Sequence, residues 1–162
     1  MSDIDDTEVP TPPSFVGLHW PGTLIERMGM EVIEHTAQRT VLTMPVEGNR
    51  QSVGLLHGGG SAALAETAAS LAAQAQAWSV GARSAVGVEL SISHLRSTRS
   101  GQVTAVATAL HLGRTSTVHL VDIRDERGTL ISSARVTNRS LGGPGWGQRG
   151  AGAPPVDSPT TV

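Results

Sequence analysis

The sequence predicts an α+β domain in which one long helix packs against a five- to six-stranded antiparallel sheet. One run, at 61–78, has strong helix-forming composition. Four runs of strand-type composition follow it, and one or two precede it. A lone apolar helix must bury its surface, and an antiparallel sheet that curls around it is the simplest way to do so. The 162 residues leave room for one such domain.

The elements before and within the helical run are defined by composition. Residues 23–28 are predicted as a short helix, and residues 31–35 and 40–46 as strands. Residues 51–60 are predicted as a loop that ends in three glycines. The helix then occupies 61–78, where Ala and Leu dominate and neither Gly nor Pro occurs.

Four strands are predicted after the helix, at 84–95, 102–112, 115–124 and 129–139. Short polar or glycine-containing breaks separate the last three, and such breaks favour antiparallel neighbours. The four strands are therefore predicted to form a meander in chain order. Alternating apolar residues predict that the first of them has one buried face: Val86, Val88, Leu90 and Ile92.

The two ends of the chain differ from its middle. Residues 1–14 are polar and acidic, and residues 142–162 are rich in Gly, Pro, Ser and Thr, so both are predicted to be disordered. The domain is then 15–141. No stretch approaches the roughly 20 apolar residues that span a bilayer, and the N-terminus lacks a signal-peptide pattern. A cytoplasmic protein without membrane contact is expected.

Charge and composition exclude several classes of function. The formal net charge is −2, and all twelve basic residues are arginines without a basic run, which argues against a nucleic-acid partner. Cysteine is absent, which excludes disulfides, thiolate metal sites and a cysteine nucleophile. The six histidines show no metal-ligand spacing. Neither a metal nor a cofactor is predicted.

The segment 51–70 carries the clearest chemical signal. Its glycine run lies at a helix start, where backbone N–H groups lack partners and the helix dipole is positive. Glycines let a ligand approach the backbone, so Gly58 would suit the oxyanion formed when a carbonyl is attacked. The alternative is a flexible loop before an ordinary helix start.

Glu66 is the only formally charged side chain between residues 51 and 82. It lies with Ser70 on the side of the helix opposite the apolar stripe of Leu64 and Ala68. A single carboxylate among alanines is typical of a catalytic base or nucleophile, whereas a solvated face usually carries several charges.

The spacing of Gly58 and Glu66 predicts a homodimer. The two residues are eight positions apart, hence about 12 Å along one helix. One chain therefore cannot easily present the Gly58 N–H and the Glu66 carboxylate to the same carbonyl carbon. Two opposed copies of the helix could do so, which would place the site between subunits.

Other polar residues leave two interpretations open. His57 could donate to substrate or hold the glycine loop in place. His94 either points into a pocket or is a hydrogen-bonded core histidine. Arg96, Arg99 and Arg114 lie near strand ends, where arginine binds phosphate or is simply a solvated loop charge.

At this point the sequence resembles a known family. The segments that carry the resemblance are 56–59, 65–66 with Ser70, 86–90, 93–97, 110–114 and 125–128. Together they are similar to the hotdog-fold acyl-CoA thioesterases of the PaaI-like branch. The nearest subgroup hydrolyses 1,4-dihydroxy-2-naphthoyl-CoA, and its relatives clear mischarged aroyl groups from carrier proteins. The resemblance implies a helix wrapped by an antiparallel sheet, and homodimers or dimers of dimers.

The resemblance also implies residue roles. Glu66 would be the general base or the nucleophile, and the Gly58 N–H of the other subunit would polarise the thioester carbonyl. Gln51 and His57 would position the thioester or the water. The implied substrate-binding residues are Gly59, Ser70 and His94 near the acyl group, with Arg96, Gly113 and Arg114 near the CoA nucleotide.

The expected activity is hydrolysis of a small aromatic acyl-CoA thioester to the free acid and CoA. An acyl carrier protein is an alternative bearer of the thioester, which would make the chain a proofreading hydrolase. A dehydratase acting on acyl thioesters is a second alternative. A non-catalytic acyl-CoA-binding protein is the third.

Overall fold

The computed structural model describes residues 14–142, and these contain two helices and six strands. In chain order they are α1 (Leu24–Arg27), β1 (Glu31–His35), β2 (Arg39–Pro45), α2 (Gly58–Ser79), β3 (Ser84–His94), β4 (Gln102–Leu112), β5 (Ser116–Asp125) and β6 (Leu130–Leu141). The segments predicted to be disordered lie, except for residues 14 and 142, outside the described residues.

The six strands form one antiparallel sheet in the order β1-β2-β4-β5-β6-β3. The predicted α+β class is thus correct, but the predicted four-strand meander is wrong in one respect. β3 pairs with β6 and not with β4, because β2 and β5 already occupy both edges of β4. The connection 95–101 therefore crosses the end of the sheet, where Leu95 and Arg96 both donate N–H groups to the Ile131 carbonyl.

Helix α2 packs across the inner face of this sheet and forms the core with it. Leu64 and Ala68 on the helix are fully buried, as are Leu42 and Val121 on the strands. The many alanines of α2 let the helix approach the sheet closely, and burial of these apolar side chains drives the packing. Neither helix within residues 14–142 is long and apolar enough to cross a bilayer.

Strand β3 is an edge of the sheet, and its apolar residues are exposed in the single chain. Val86 is 42% exposed, Val88 58% and Leu90 37%, which contradicts the predicted buried face. A β-bulge between Gly87 and Glu89 breaks the alternation on which the prediction depended. Only Ile92, further along the strand, packs against the core.

Two histidines outside the helix hold loops to the rest of the fold. His119, fully buried, donates its Nε2–H to the Ala37 carbonyl at 2.9 Å. His35 donates its Nε2–H to the Leu71 carbonyl and accepts the Phe15 N–H at Nδ1. Burial lowers the pKa of both imidazoles, although the hydrogen bonds to the carbonyls oppose this.

Candidate active site

The first turn of α2 is made by the glycines themselves. The helix begins at Gly58 and not at residue 61 as predicted, because His57 caps it. His57 has extended backbone geometry, and its Nδ1 accepts the Gly59 N–H at 2.8 Å. The Gly59 N–H is therefore committed to His57. The structure gives the Gly58 N–H no acceptor within residues 14–142, so this donor remains at the positive end of the helix.

A cleft of about 400 Å³ opens beside this helix start. Its wall includes three residues predicted for the site, Gln51, His94 and Arg96, in addition to Gly58. The loop before α2 positions Gln51 here, because the Gln51 N–H donates to the Leu55 carbonyl in a tight turn. Four of the predicted site residues thus surround one space, whereas His57 and Gly59, which were also predicted, are not part of its wall.

His94 packs directly against the Gly58 backbone. A Cβ atom on residue 58 would lie 2.8 Å from His94 Nε2, so a side chain there would displace the imidazole. His94 Nδ1 lies 3.0 Å from the Ser132 hydroxyl on β6, which holds the ring with Nε2 towards the helix start. Glycine at 58 therefore lets His94 approach the helix start closely.

Glu66 lies two turns further along α2 and is partly buried. Its Oε1 accepts the Ser70 hydroxyl at 2.6 Å, and Ser70 Oγ accepts the Asn138 Nδ2–H at 2.7 Å. The carboxylate is thus held by a polar chain that begins on strand β6. Glu66 and Ser70 thus share one side of α2, as predicted, and the structure adds a direct hydrogen bond between them.

Gly87 on β3 faces the same carboxylate. A Cβ atom built on Gly87 would lie 2.6 Å from Glu66 Oε1, closer than any ordinary contact. The backbone of Gly87 is not in the left-handed region, so glycine is needed here for space alone. Glu66 therefore lies where the helix meets the edge strand of the sheet.

Three residues of this arrangement were missed by the sequence analysis: Gly87, Ser132 and Asn138. A glycine inside a strand often marks the close approach of another group, and that signal was available for Gly87. Asn138 falls on the inward face of β6 together with Val136, and a polar residue in an apolar alternation was the signal there. Nothing in the sequence distinguishes Ser132.

Gly113 and Arg114 lie near the end of α2 that is opposite to the cleft. The Gly113 carbonyl accepts the Gln76 side-chain amide at 3.3 Å, beside the C-terminal part of α2. Gln76 is eighteen residues beyond Gly58, hence about 27 Å along the helix. A single chain therefore does not bring Arg96 and Arg114 together, although the family resemblance implied that both lie near the CoA nucleotide.

Gly58 and Glu66 are likewise too far apart within one protomer to contact the same carbonyl group. They belong to one uninterrupted helix, so the rise between them is about 12 Å, as predicted. No three His, Asp or Glu side chains within 14–142 are grouped so that they could hold a metal ion. The site offers a carboxylate, a helix N-terminus, an imidazole and a glutamine, which suit attack of water on a polarised carbonyl.

Comparisons with known proteins give a consistent result. A family model described as the thioesterase superfamily matches residues 53–132. The proofreading thioesterase EntH of Cronobacter turicensis is 40% identical over 122 residues, which are 75% of this chain and 88% of EntH. The 1,4-dihydroxy-2-naphthoyl-CoA hydrolase of Escherichia coli is 41% identical over 110 residues, which are 67% of this chain and 79% of that enzyme.

One solved relative is informative about the site. A crystal structure of the thioesterase SAV0944 of Staphylococcus aureus, with one glutamine replaced by alanine, matches with a TM-score of 0.69 and 31% identity. The match covers 73% of this chain and 98% of that chain. A second structure of SAV0944 has a glutamate replaced by alanine, and the two replaced residues are fifteen positions apart in its sequence.

Proposed function

Since this chain belongs to the thioesterase superfamily and is a thioester hydrolase, we propose that it hydrolyses a small aromatic acyl-CoA thioester with Glu66 as its catalytic carboxylate. The resemblance to the hotdog thioesterases is confirmed at the level of family and fold. The observation that carries the proposal is the Glu66 carboxylate, which is held by Ser70 and lies against Gly87 at the sheet edge.

The proposed reaction uses only groups of the protein and water. Glu66 takes a proton from a water molecule as the water oxygen forms a bond to the thioester carbon. The negative charge that develops on the carbonyl oxygen is stabilised by the Gly58 N–H at the helix start. The C–S bond then breaks, and the thiolate of CoA takes up the proton that Glu66 received. In the alternative mechanism, Glu66 attacks the thioester carbon itself and expels the CoA thiolate, and water then hydrolyses the resulting anhydride to give the free acid and regenerate Glu66.

The exposed edge of strand β3 is evidence for an active site formed between two chains. Its outer edge has no partner strand within residues 14–142, and it exposes Val86, Val88 and Leu90. A long apolar edge strand is a surface that pairs with another copy of itself. Because Gly87 of the same strand touches Glu66, a second copy docked there would lie next to the carboxylate. We propose that this copy supplies the Gly58 N–H, and that dimers can pair further into tetramers.

The other predicted residues receive positioning roles in this proposal. Gln51 and His94 line the cleft at the helix start, where they would orient the thioester or the water. His57 would act through its cap on Gly59, which fixes the first turn of α2. The Gly59 N–H is already bonded to His57, so Gly59 would contact the substrate only through other atoms of its backbone.

Arg96 would meet the CoA nucleotide at the mouth of the cleft, and Gly113 with Arg114 would meet a nucleotide from the far end of the helix. Opposed helices bring the N-terminal end of one near the C-terminal end of the other. The dimer would thereby unite the two groups that one chain separates.

The names of relatives support the substrate class, and the substitutions made in one relative support the choice of site residues. One relative is named as a hydrolase of 1,4-dihydroxy-2-naphthoyl-CoA, which favours an aromatic acyl group carried by CoA, and another is named as a proofreading thioesterase. The glutamine and glutamate replaced in SAV0944 have the same separation as Gln51 and Glu66. That spacing supports the two as members of one site.

Thiol release from a panel of aroyl- and alkanoyl-CoA thioesters tests the proposal. We expect turnover with benzoyl-CoA, and Glu66→Ala should lower kcat by at least about 10²-fold with folding intact. Near-normal turnover in Glu66→Ala would reject the role of Glu66. Binding by calorimetry without thiol release would favour a non-catalytic binder, and a new enoyl absorbance would favour a dehydratase. An aroyl-loaded carrier protein in the same assay distinguishes the two bearers of the thioester.

A further inference from the structure

Asn138 is a buried amide that ends the polar chain to Glu66. It is 1% exposed, and its Nδ2–H donates to Ser70 Oγ at 2.7 Å. Its neighbours across the sheet are Gly87 on β3 and Thr117 on β5. The amide is therefore fixed between two strands and reaches up to the helix. We propose that Asn138 is a positioning residue for thioester hydrolysis, which sets the Glu66 carboxylate through the Ser70 hydroxyl.

The direction of the hydrogen bonds carries this inference. A serine hydroxyl has one proton to donate and two lone pairs that accept. Because Asn138 donates to Ser70, the single proton of Ser70 is directed to Glu66 Oε1, 2.6 Å away. The structure gives Glu66 Oε2 no hydrogen bond within the described part of the chain, so this oxygen is free to face a water molecule.

Asn138 also opposes a competing conformation of Ser70. A serine within a helix commonly donates its hydroxyl to the carbonyl four residues earlier, which here is the backbone carbonyl of Glu66. That bond would leave the carboxylate without its anchor. The Asn138 donor fixes Ser70 Oγ on the sheet side of the helix, where its proton meets the side chain of Glu66 and not its backbone.

The inference rests on the proposed function, and its test is a set of variants assayed for kcat and KM with benzoyl-CoA. Asn138→Leu removes the donor at similar volume, and Asn138→Asp keeps the shape but accepts the Ser70 proton. Thr117→Val is the matched control, because Thr117 is also 1% exposed, is adjacent in the sheet and has an Oγ1 without a hydrogen bond in the described residues. Thermal melting establishes that each variant is folded.

We expect each Asn138 variant to lower kcat by about 10-fold or more with KM within about twofold, since misplacement of a catalytic group acts on the chemical step. Thr117→Val should leave both constants unchanged. The double variant Asn138→Leu with Ser70→Ala should lose no more than Ser70→Ala alone, because the two residues act in series.

Three results would overturn the inference. Equal kcat values for Asn138→Leu and Thr117→Val, or additive losses in the Ser70 double variant, would show that Asn138 does not act through Ser70. Either result, combined with an inactive Glu66→Ala, leaves the proposed function standing. Full turnover in Glu66→Ala overturns the proposed function and the role of Asn138 together. Where Asn138→Asp fails to fold, Asn138→Leu decides alone.

Discussion

A methyl group added at Gly87 tests whether the position of the Glu66 carboxylate matters. The added carbon would lie 2.6 Å from Glu66 Oε1, whereas ordinary contacts begin near 3.4 Å. The carboxylate must then move by about 0.8 Å, since it is the flexible end of a side chain and the strand backbone is not. A displacement of about 1 Å at a reacting group can cost about 10²-fold in rate. We therefore expect Gly87→Ala to lower kcat by about 10- to 100-fold.

The stability of Gly87→Ala should change little. The backbone at Gly87 is accessible to alanine, which by itself stabilises by about 0.4–1 kcal/mol through the unfolded chain, and displacement of Glu66 from Ser70 offsets this gain. Thiol release gives kcat, and urea denaturation gives the free energy of unfolding. A folded Gly87→Ala protein with the kcat of the parent would refute the reasoning about Glu66.

Gly60→Ala is the matched control for this experiment. Its added carbon would meet Met28, Asn49 and Leu56 at 3.5–3.8 Å, which are ordinary contacts. Because Gly60 lies in α2, alanine should stabilise the helix by up to about 1 kcal/mol. We expect a raised free energy of unfolding and an unchanged kcat, so that the two glycine variants separate helix stability from placement of the carboxylate.

Two further predictions concern the edge strand and the histidines. Val88→Arg should give a folded monomer with little turnover, whereas Leu110→Arg should leave the dimer intact, because Leu110 is similarly exposed (61% against 58%) but lies on another strand. Sedimentation velocity checks both variants, and a fully active Val88→Arg dimer would contradict the proposed interface. The lowered pKa values of His35 and His119 mean that the unfolded chain binds more protons below about pH 6.5. The free energy of unfolding should therefore fall as the pH drops from 6.5 towards the folded-state pKa values. Replacing both histidines by glutamine should flatten this dependence in urea titrations, and an unchanged slope would be evidence against it.

The fold could be predicted largely because its local signals are strong. The alanine-rich helix lacks internal breakers over 61–78, and three of the four strands after it are separated by tight turns. The pairing of β3 with β6 could not be predicted in this way. Pairing between strands distant in sequence depends on which edges remain free, and no local pattern of residues 84–95 encodes that.

The site could be predicted in part, for a related physical reason. Glu66, Ser70 and Gly58 lie on one helix, where spacing fixes which side chains share a side. Gly87 and Asn138 reach the same carboxylate from two different strands, and only the packing of helix on sheet brings them there. Sequence spacing also did not reveal that Gly113 lies at the opposite end of α2 from Arg96.

The central claim is that Glu66 of one protomer and the Gly58 N–H of its partner act on the same carbonyl. Gly58→Pro removes this N–H, and proline is well accepted at the first position of a helix. Gly58→Ala is its control, because it also places a carbon against His94 but retains the N–H. We expect Gly58→Pro to lose at least about 10²-fold in kcat and Gly58→Ala distinctly less.

Mixing Glu66→Ala with Gly58→Pro and allowing the subunits to exchange is then the most direct test. Each hybrid dimer would contain one site with an intact Glu66 and an intact Gly58 from different chains. Half of the dimers would be hybrids, so we expect about one quarter of the turnover of the unsubstituted protein. Hybrid dimers that form, as shown by mass spectrometry, yet remain as inactive as Glu66→Ala and Gly58→Pro alone would contradict a site shared between protomers.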